Sequence, residues 1–254
     1  MMRCLRWTRR NGRGLLSEIR KDYGKMIENC DTVNLVGEIG MNNVNSKEYQ
    51  GIRYLEFYPE DKDEKMPVLI YLHGAGERGD HLEKVNVHGP IKEVLAGNVQ
   101  LNCIVLAPQC GEGKTWWDYA ERLYNWISWY KELPFVDKDR IYLTGNSMGG
   151  YGTWALSMAH PELFAAIVPV CGGGLSWNAG MLKNTPVWAF HCVGDGLVPC
   201  HNTIEMVENV KKYSESDVKI TVYPQCSHDA WTETYQNQEV YNWLLSKKKN
   251  EAVK

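Results

Sequence analysis

The run Gly145-Asn146-Ser147-Met148-Gly149 constrains the fold more tightly than any other part of this chain. Before it stands Arg140-Ile141-Tyr142-Leu143-Thr144, whose apolar, β-branched and aromatic side chains predict a strand. After it, Gly150-Tyr151-Gly152-Thr153-Trp154-Ala155-Leu156-Ser157-Met158-Ala159 predicts a helix. A serine between two glycines at a strand-to-helix turn is a nucleophile elbow. The turn is so tight that a Cβ at position 145 or 149 is expected to strike the neighbouring strand or helix, which explains both glycines. The serine hydroxyl is thereby expected at the carboxyl end of a sheet. A helix amino terminus lies beside it, and its N–H groups favour negative charge.

The rest of the sequence supplies such a sheet. Val68–Leu72, Cys103–Ala107, Ile141–Thr144, Ala165–Val170, Val187–His191 and Val218–Tyr223 are short apolar runs of the kind buried on both faces of a parallel sheet. Helical patterns alternate with them at Trp117–Leu133, His201–Tyr213 and Thr232–Leu245. Strands alternating with helices imply an α/β fold with a doubly wound, mostly parallel sheet and helices on both faces. Upstream, Val33–Ile39 and Ile52–Tyr58 alternate with period two and predict an antiparallel pair, the Asn-rich segment between them being a turn. Residues 31–254 are expected to form one domain, and residues 1–30 a tail or surface helix.

A serine hydroxyl needs a histidine to take its proton, and that histidine needs an acid to orient it. In elbow hydrolases the chain order is Ser, acid, His. Asp195 lies between two glycines just past the Val187–His191 strand and is the expected acid; Asp217 and Asp229 are its competitors. His228 directly follows the last strand and is the expected base. His191 reads as a core histidine within its strand, and His201 as a cap or surface residue. The oxyanion requires two donors. The backbone N–H groups of Met148 and Ala75 are the candidates, Ala75 lying in the glycine-rich loop His73-Gly74-Ala75-Gly76 after the first parallel strand. His73 is expected to tie that loop down, and Glu77 and Arg78 to form a structural pair.

The formal net charge is −3, from 28 basic and 31 acidic residues. That balance argues against nucleic acid or an anionic membrane as partner. The basic start of the chain is not followed by the apolar core of a secretory signal, so a cytoplasmic location is expected, with secretion the alternative. The eight cysteines form no C-x-x-C pair and no zinc-ligand spacing. They are expected to be reduced, Cys192 with Cys200 being the one pairing considered. No cofactor or metal site is expected.

Taken together, the HGAGERG run at 73–79, the elbow, the stretch His191 through Asp195 to Pro199, and His228-Asp229-Ala230-Trp231 resemble the α/β-hydrolase superfamily. Within it they are most similar to the esterase and predicted-peptidase branch, near acetylxylan and feruloyl carbohydrate esterases. The resemblance covers about Pro67 to Leu245. It implies Ser147 as nucleophile, Asp195 as acid, His228 as base, eight strands with one antiparallel member, and no cofactor. It departs at Cys192, where the family usually has glycine. The expected activity is hydrolysis of small acyl or phenolic esters, including those of plant oligosaccharides, with Trp117 and Trp231 as an aromatic wall. A serine peptidase acting on small peptides is the alternative, and a binding protein on a hydrolase scaffold is a third reading.

Overall fold

The computed structural model describes residues 33–34, 43–60 and 63–249. The chain divides into two compact units, Met1–Asn34 and Leu35–Lys254. In the first, Val33–Asn34 is a two-residue strand; the tail or surface helix expected over residues 1–30 lies outside the described residues.

In the second unit, eight strands form a sheet. They are β1 (Val44–Tyr49), β2 (Ile52–Phe57), β3 (Met66–Leu72), β4 (Ile104–Pro108), β5 (Val136–Asn146), β6 (Ala166–Val170), β7 (Val187–Cys192) and β8 (Val218–Tyr223). Their order across the sheet is β1-β2-β4-β3-β5-β6-β7-β8. Among the described strands, β2 is antiparallel to both of its neighbours, β1 and β4; the pairings among β3 to β8 are parallel. β3, β4 and β6 are buried along their whole length. Strands covered on both faces carry continuous apolar runs, as these do, because helices cross over each side. The helices are α1 (Pro90–Leu95), α2 (Ala120–Tyr130), α3 (Met148–Ala159), α4 (Cys200–Tyr213), α5 (Trp231–Gln236) and α6 (Gln238–Leu245). None of the described helices is long and apolar enough to cross a membrane.

Three sequence expectations are corrected. The partner of Ile52–Phe57 is Val44–Tyr49, so part of the Asn-rich segment is strand rather than turn. Tyr49 pairs directly with Ile52, and the two linking residues, Gln50 and Gly51, both have positive φ (47° and 79°). That is the twist a two-residue hairpin needs, and it makes the adjacent segment the partner. The helix expected over Thr232–Leu245 is broken at Asn237, which has extended ψ (108°) and whose side chain accepts the Glu239 N–H to start α6 afresh. The helix expected from Trp117 begins instead as a 3-10 turn, Trp116–Tyr119, closed by a capping box between Thr115 and Asp118.

The cysteines also differ from expectation. Cys192 is joined to Cys226, not to Cys200. Cys192 ends β7 and Cys226 follows β8 in the neighbouring, parallel strand pair. The side chain standing where the resembling family has glycine therefore finds its room by bonding across to the next loop.

Candidate active site

β5 ends at Asn146 and α3 begins at Met148, leaving Ser147 alone at the turn with φ 54° and ψ −116°. A non-glycine residue held at positive φ stores strain that its surroundings must hold in place. The Ser147 N–H donates to Val170 O (2.9 Å) and the Tyr151 N–H to Ser147 O (3.0 Å). A Cβ on Gly145 would strike the Gly149 and Leu72 carbonyls, and one on Gly149 would strike Leu72 and His73. The turn is thus closed on both sides by backbone, as the paired glycines implied.

The three expected residues meet there. His228 Nε2 lies 2.8 Å from Ser147 Oγ, and His228 Nδ1 lies 2.6 Å from Asp195 Oδ2. The residues sit in three loops that leave the same edge of the sheet, after β5, β7 and β8. Asp195 Oδ1 accepts the N–H groups of Leu197 and Val198, each at 2.9 Å. Burial alone would raise the Asp195 carboxyl, but the hydrogen bond from His228 and those two backbone donors hold it below the usual carboxylate range. The carboxylate is thus kept charged against the imidazole. The competing acids are engaged elsewhere. Asp217 accepts from Trp243 Nε1 and Lys247, and Asp229 accepts the N–H and hydroxyl of Thr232 in α5. His201 is exposed at the start of α4.

The loop after β3 carries the second expected oxyanion donor. Ala75 opens a 3-10 turn, Ala75–Glu77. His73 anchors it: Nδ1 donates to Gly74 O (2.6 Å), and Nε2 accepts the Cys110 N–H (3.0 Å). Fully buried, His73 is pushed down to about 4 by desolvation, so it is neutral near pH 7. Glu77 and Arg78 turn apart instead of pairing. Arg78 donates to the carbonyls of Ala75 and Lys114, while Glu77 approaches His88 and His73 (3.7 and 3.9 Å).

The two tryptophans are placed differently. Trp117 is 53% exposed and, with Thr115, Trp116, Met148 and Tyr151, lines a hollow of about 320 Å³. Met148 and Tyr151 belong to the elbow helix, so this hollow borders the helix that follows Ser147. Trp231 packs edge-on against His228, with ring centroids 5.1 Å apart, and against His88 at 5.4 Å. It supports the imidazole and is not among the residues lining that hollow.

Sequence reasoning missed two connections. His191 is a buried histidine, as expected, but its Nε2 lies 3.1 Å from Asp195 Oδ2. The i, i+4 spacing across a strand end was the available signal. Cys171, His191 and Asp195 place donor atoms within 4.8 Å of one another. Each is already engaged by neighbours: the Cys171 thiol, pushed up to about 12 by burial, donates to His228 O.

Comparison with known proteins agrees with this architecture. A family model described as the prolyl oligopeptidase family matches residues 117–183, which include the elbow. A bifunctional acetylxylan esterase/xylanase of Neocallimastix patriciarum is 24% identical over 74% of this chain, which spans only 27% of that protein. The crystal structure of a thermostable esterase is 32% identical, with TM-score 0.69, over 82% of this chain and 64% of that one. A feruloyl esterase module from Clostridium thermocellum, complexed with sinapinate, has TM-score 0.63 at 15% identity, over 87% of this chain and 92% of the module. With its sheet order, elbow and these resemblances, the chain has the α/β-hydrolase fold, and the proteins it is similar to include esterases and, over residues 117–183, the prolyl oligopeptidase family.

Proposed function

We propose that this protein is a serine hydrolase that cleaves carboxylic esters through an acyl-enzyme on Ser147. The observation that carries the reading is the continuous hydrogen-bonded line from Ser147 Oγ through His228 to Asp195, at 2.8 and 2.6 Å. In this reading His228 Nε2 takes the Ser147 proton as Oγ attacks the ester carbonyl. The N–H groups of Met148 and Ala75 hold the resulting oxyanion. His228 returns the proton to the departing alkoxide, leaving the acyl group on Ser147. Water, deprotonated by His228, then releases the acid and restores the serine.

The substrate class we infer is a small acyl or phenolic ester, including acylated oligosaccharides. The hollow bordering the elbow helix supports this, being walled by Trp116, Trp117 and Tyr151, aromatic faces on which a phenolic ring or a sugar can pack. The alternative, a serine peptidase on small peptides, is favoured by the prolyl-oligopeptidase match over residues 117–183. Amide cleavage needs full protonation of a poorer leaving group, and hence accurate placement of the imidazolium through extended binding on both sides of the bond. The Cys192–Cys226 bond supports the secreted alternative over the cytoplasmic reading, because disulfides persist in oxidising compartments.

The test compares kcat/KM for an ester and an amide with the same acyl group, uncatalysed rates subtracted. The panel includes aryl acetates, methyl ferulate, acetylated xylo-oligosaccharides and aminoacyl anilides. Esters are expected to be cleaved far faster. Comparable values, or preference for an anilide over every ester, would replace the esterase reading with the peptidase one.

A further inference from the structure

We propose that His191 is a positioning residue for the Ser147 site, its Nε2–H fixing the Asp195 carboxylate and sharing that carboxylate's charge with His228. This rests on the serine-hydrolase reading. Two acceptors face His191 Nε2, Asp195 Oδ2 at 3.1 Å and Val198 O at 2.9 Å, so the proton belongs on that nitrogen. At the other end of the ring, Nδ1 lies 2.7 Å from Thr203 Oγ1 in α4, itself 2.5 Å from Gly172 O after β6. The side chains of His191 and Asp195 are both completely shielded from solvent. The ring is therefore pinned between β7, α4 and the end of β6, and it presents one N–H to the oxygen that His228 uses.

Four N–H groups thus converge on one carboxylate: Leu197 and Val198 on Oδ1, His228 and His191 on Oδ2. Without the His191 donor, Oδ2 would concentrate its charge on the His228 bond and hold the imidazolium more tightly. The acid loop would also lose its tether to β7. The other titratable groups that sense this carboxylate are the Cys171 and Cys200 thiols, both raised and so neutral near pH 7, with Asp229 adjoining His228. A core histidine without this role would make contacts that any side chain of similar size and polarity could replace.

The test uses two amides of different reach. In His191→Gln the amide nitrogen reaches the position of Nε2. In His191→Asn it reaches only that of Nδ1, keeping the Thr203 side and losing the Asp195 side. The readout is the pH dependence of Ser147 labelling by a fluorophosphonate, which needs no knowledge of the natural substrate. Folding is checked by circular dichroism and by the count of free thiols. His191→Asn is expected to label about tenfold more slowly at neutral pH, the worth of one hydrogen bond, with the acid limb of its profile moved to higher pH. His191→Gln is expected to restore both. Should His191→Asn not fold, Thr203→Val, which unpins Nδ1, is expected to show the same acid-limb shift. Equal rates and profiles in all variants overturn the proposal. So does equal slowing in the two amides with the acid limb unmoved. Failure of the wild-type protein to label at Ser147 would instead remove the serine-hydrolase reading itself.

Discussion

Cys192 and Cys226 join the strand end that leads into Asp195 to the loop that delivers His228. The bond closes a separation of 34 residues. In the chain-entropy model a loop of that length contributes about 3–4 kcal/mol. Replacing Cys192 by serine, or reducing the bond, is therefore expected to lower the melting temperature by about 10 °C. It should also slow turnover, because Asp195 and His228 then lie on loops held only by weaker contacts. Calorimetry with and without a dithiol reductant, followed by assay of both samples, checks this; identical melting curves would mean the bond carries no load.

Ser147→Ala is expected to abolish ester hydrolysis while leaving the melting curve near that of wild type. Loss of the nucleophile in a comparable serine hydrolase costs on the order of 10⁶ in turnover. A fluorophosphonate should label Ser147 alone, as read by peptide mass spectrometry. Labelling of another serine, or near wild-type turnover in the variant, would overturn the assignment.

Asp195→Asn is expected to leave the fold intact and reduce kcat by up to about 10⁴, the effect of a misoriented imidazole. Asp217→Asn and Asp229→Asn should be nearly silent in kcat, since one bonds Trp243 and Lys247 and the other bonds Thr232. Steady-state kinetics on all three variants decide whether Asp195 is the acid.

His73 predicts a particular acid sensitivity. Its folded-state value is about 4, against an unfolded value of 6.5. Between those two pH values the unfolded chain binds a proton that the folded protein does not. Stability therefore falls as pH drops through this window, by on the order of 3 kcal/mol in all. Asp195 works in a different range: its carboxyl is lowered on folding, so its contribution is present above the ordinary carboxylate value and is lost only below it. Urea unfolding of wild type and His73→Gln between pH 7 and 4.5 separates the two, and the variant should show a shallower decline.

Much of this was legible because the signals are local. Continuous apolar runs marked the buried strands, and the Ser147, Asp195 and His228 positions each followed one of them. What the sequence concealed depends on partners distant in the chain or on backbone conformation. Gln50-Gly51 lacks the Asn-Gly signature of a two-residue hairpin, so nothing local marks Val44–Tyr49 as the partner of β2. Cys192 meets Cys226 only because β7 and β8 lie side by side in register. His191 alternates inward like any strand residue; its contact with Asp195 depends on a loop folding back, held by the Leu197 and Val198 N–H groups. Asn237 breaks a helix whose apolar spacing continues through it.

The order of the three groups along the chain also has a consequence in time. Ser147 and His228 are 81 positions apart. At a synthesis rate of roughly 5–20 residues per second, about 4–16 seconds pass between the emergence of the elbow and that of its base. During that interval β3, β5 and β6 can close around the elbow, because their pairings need nothing beyond residue 170. On the serine-hydrolase reading, a nascent chain would then hold a shaped but inert serine, whose chemistry would begin only when the loop after β8 docks.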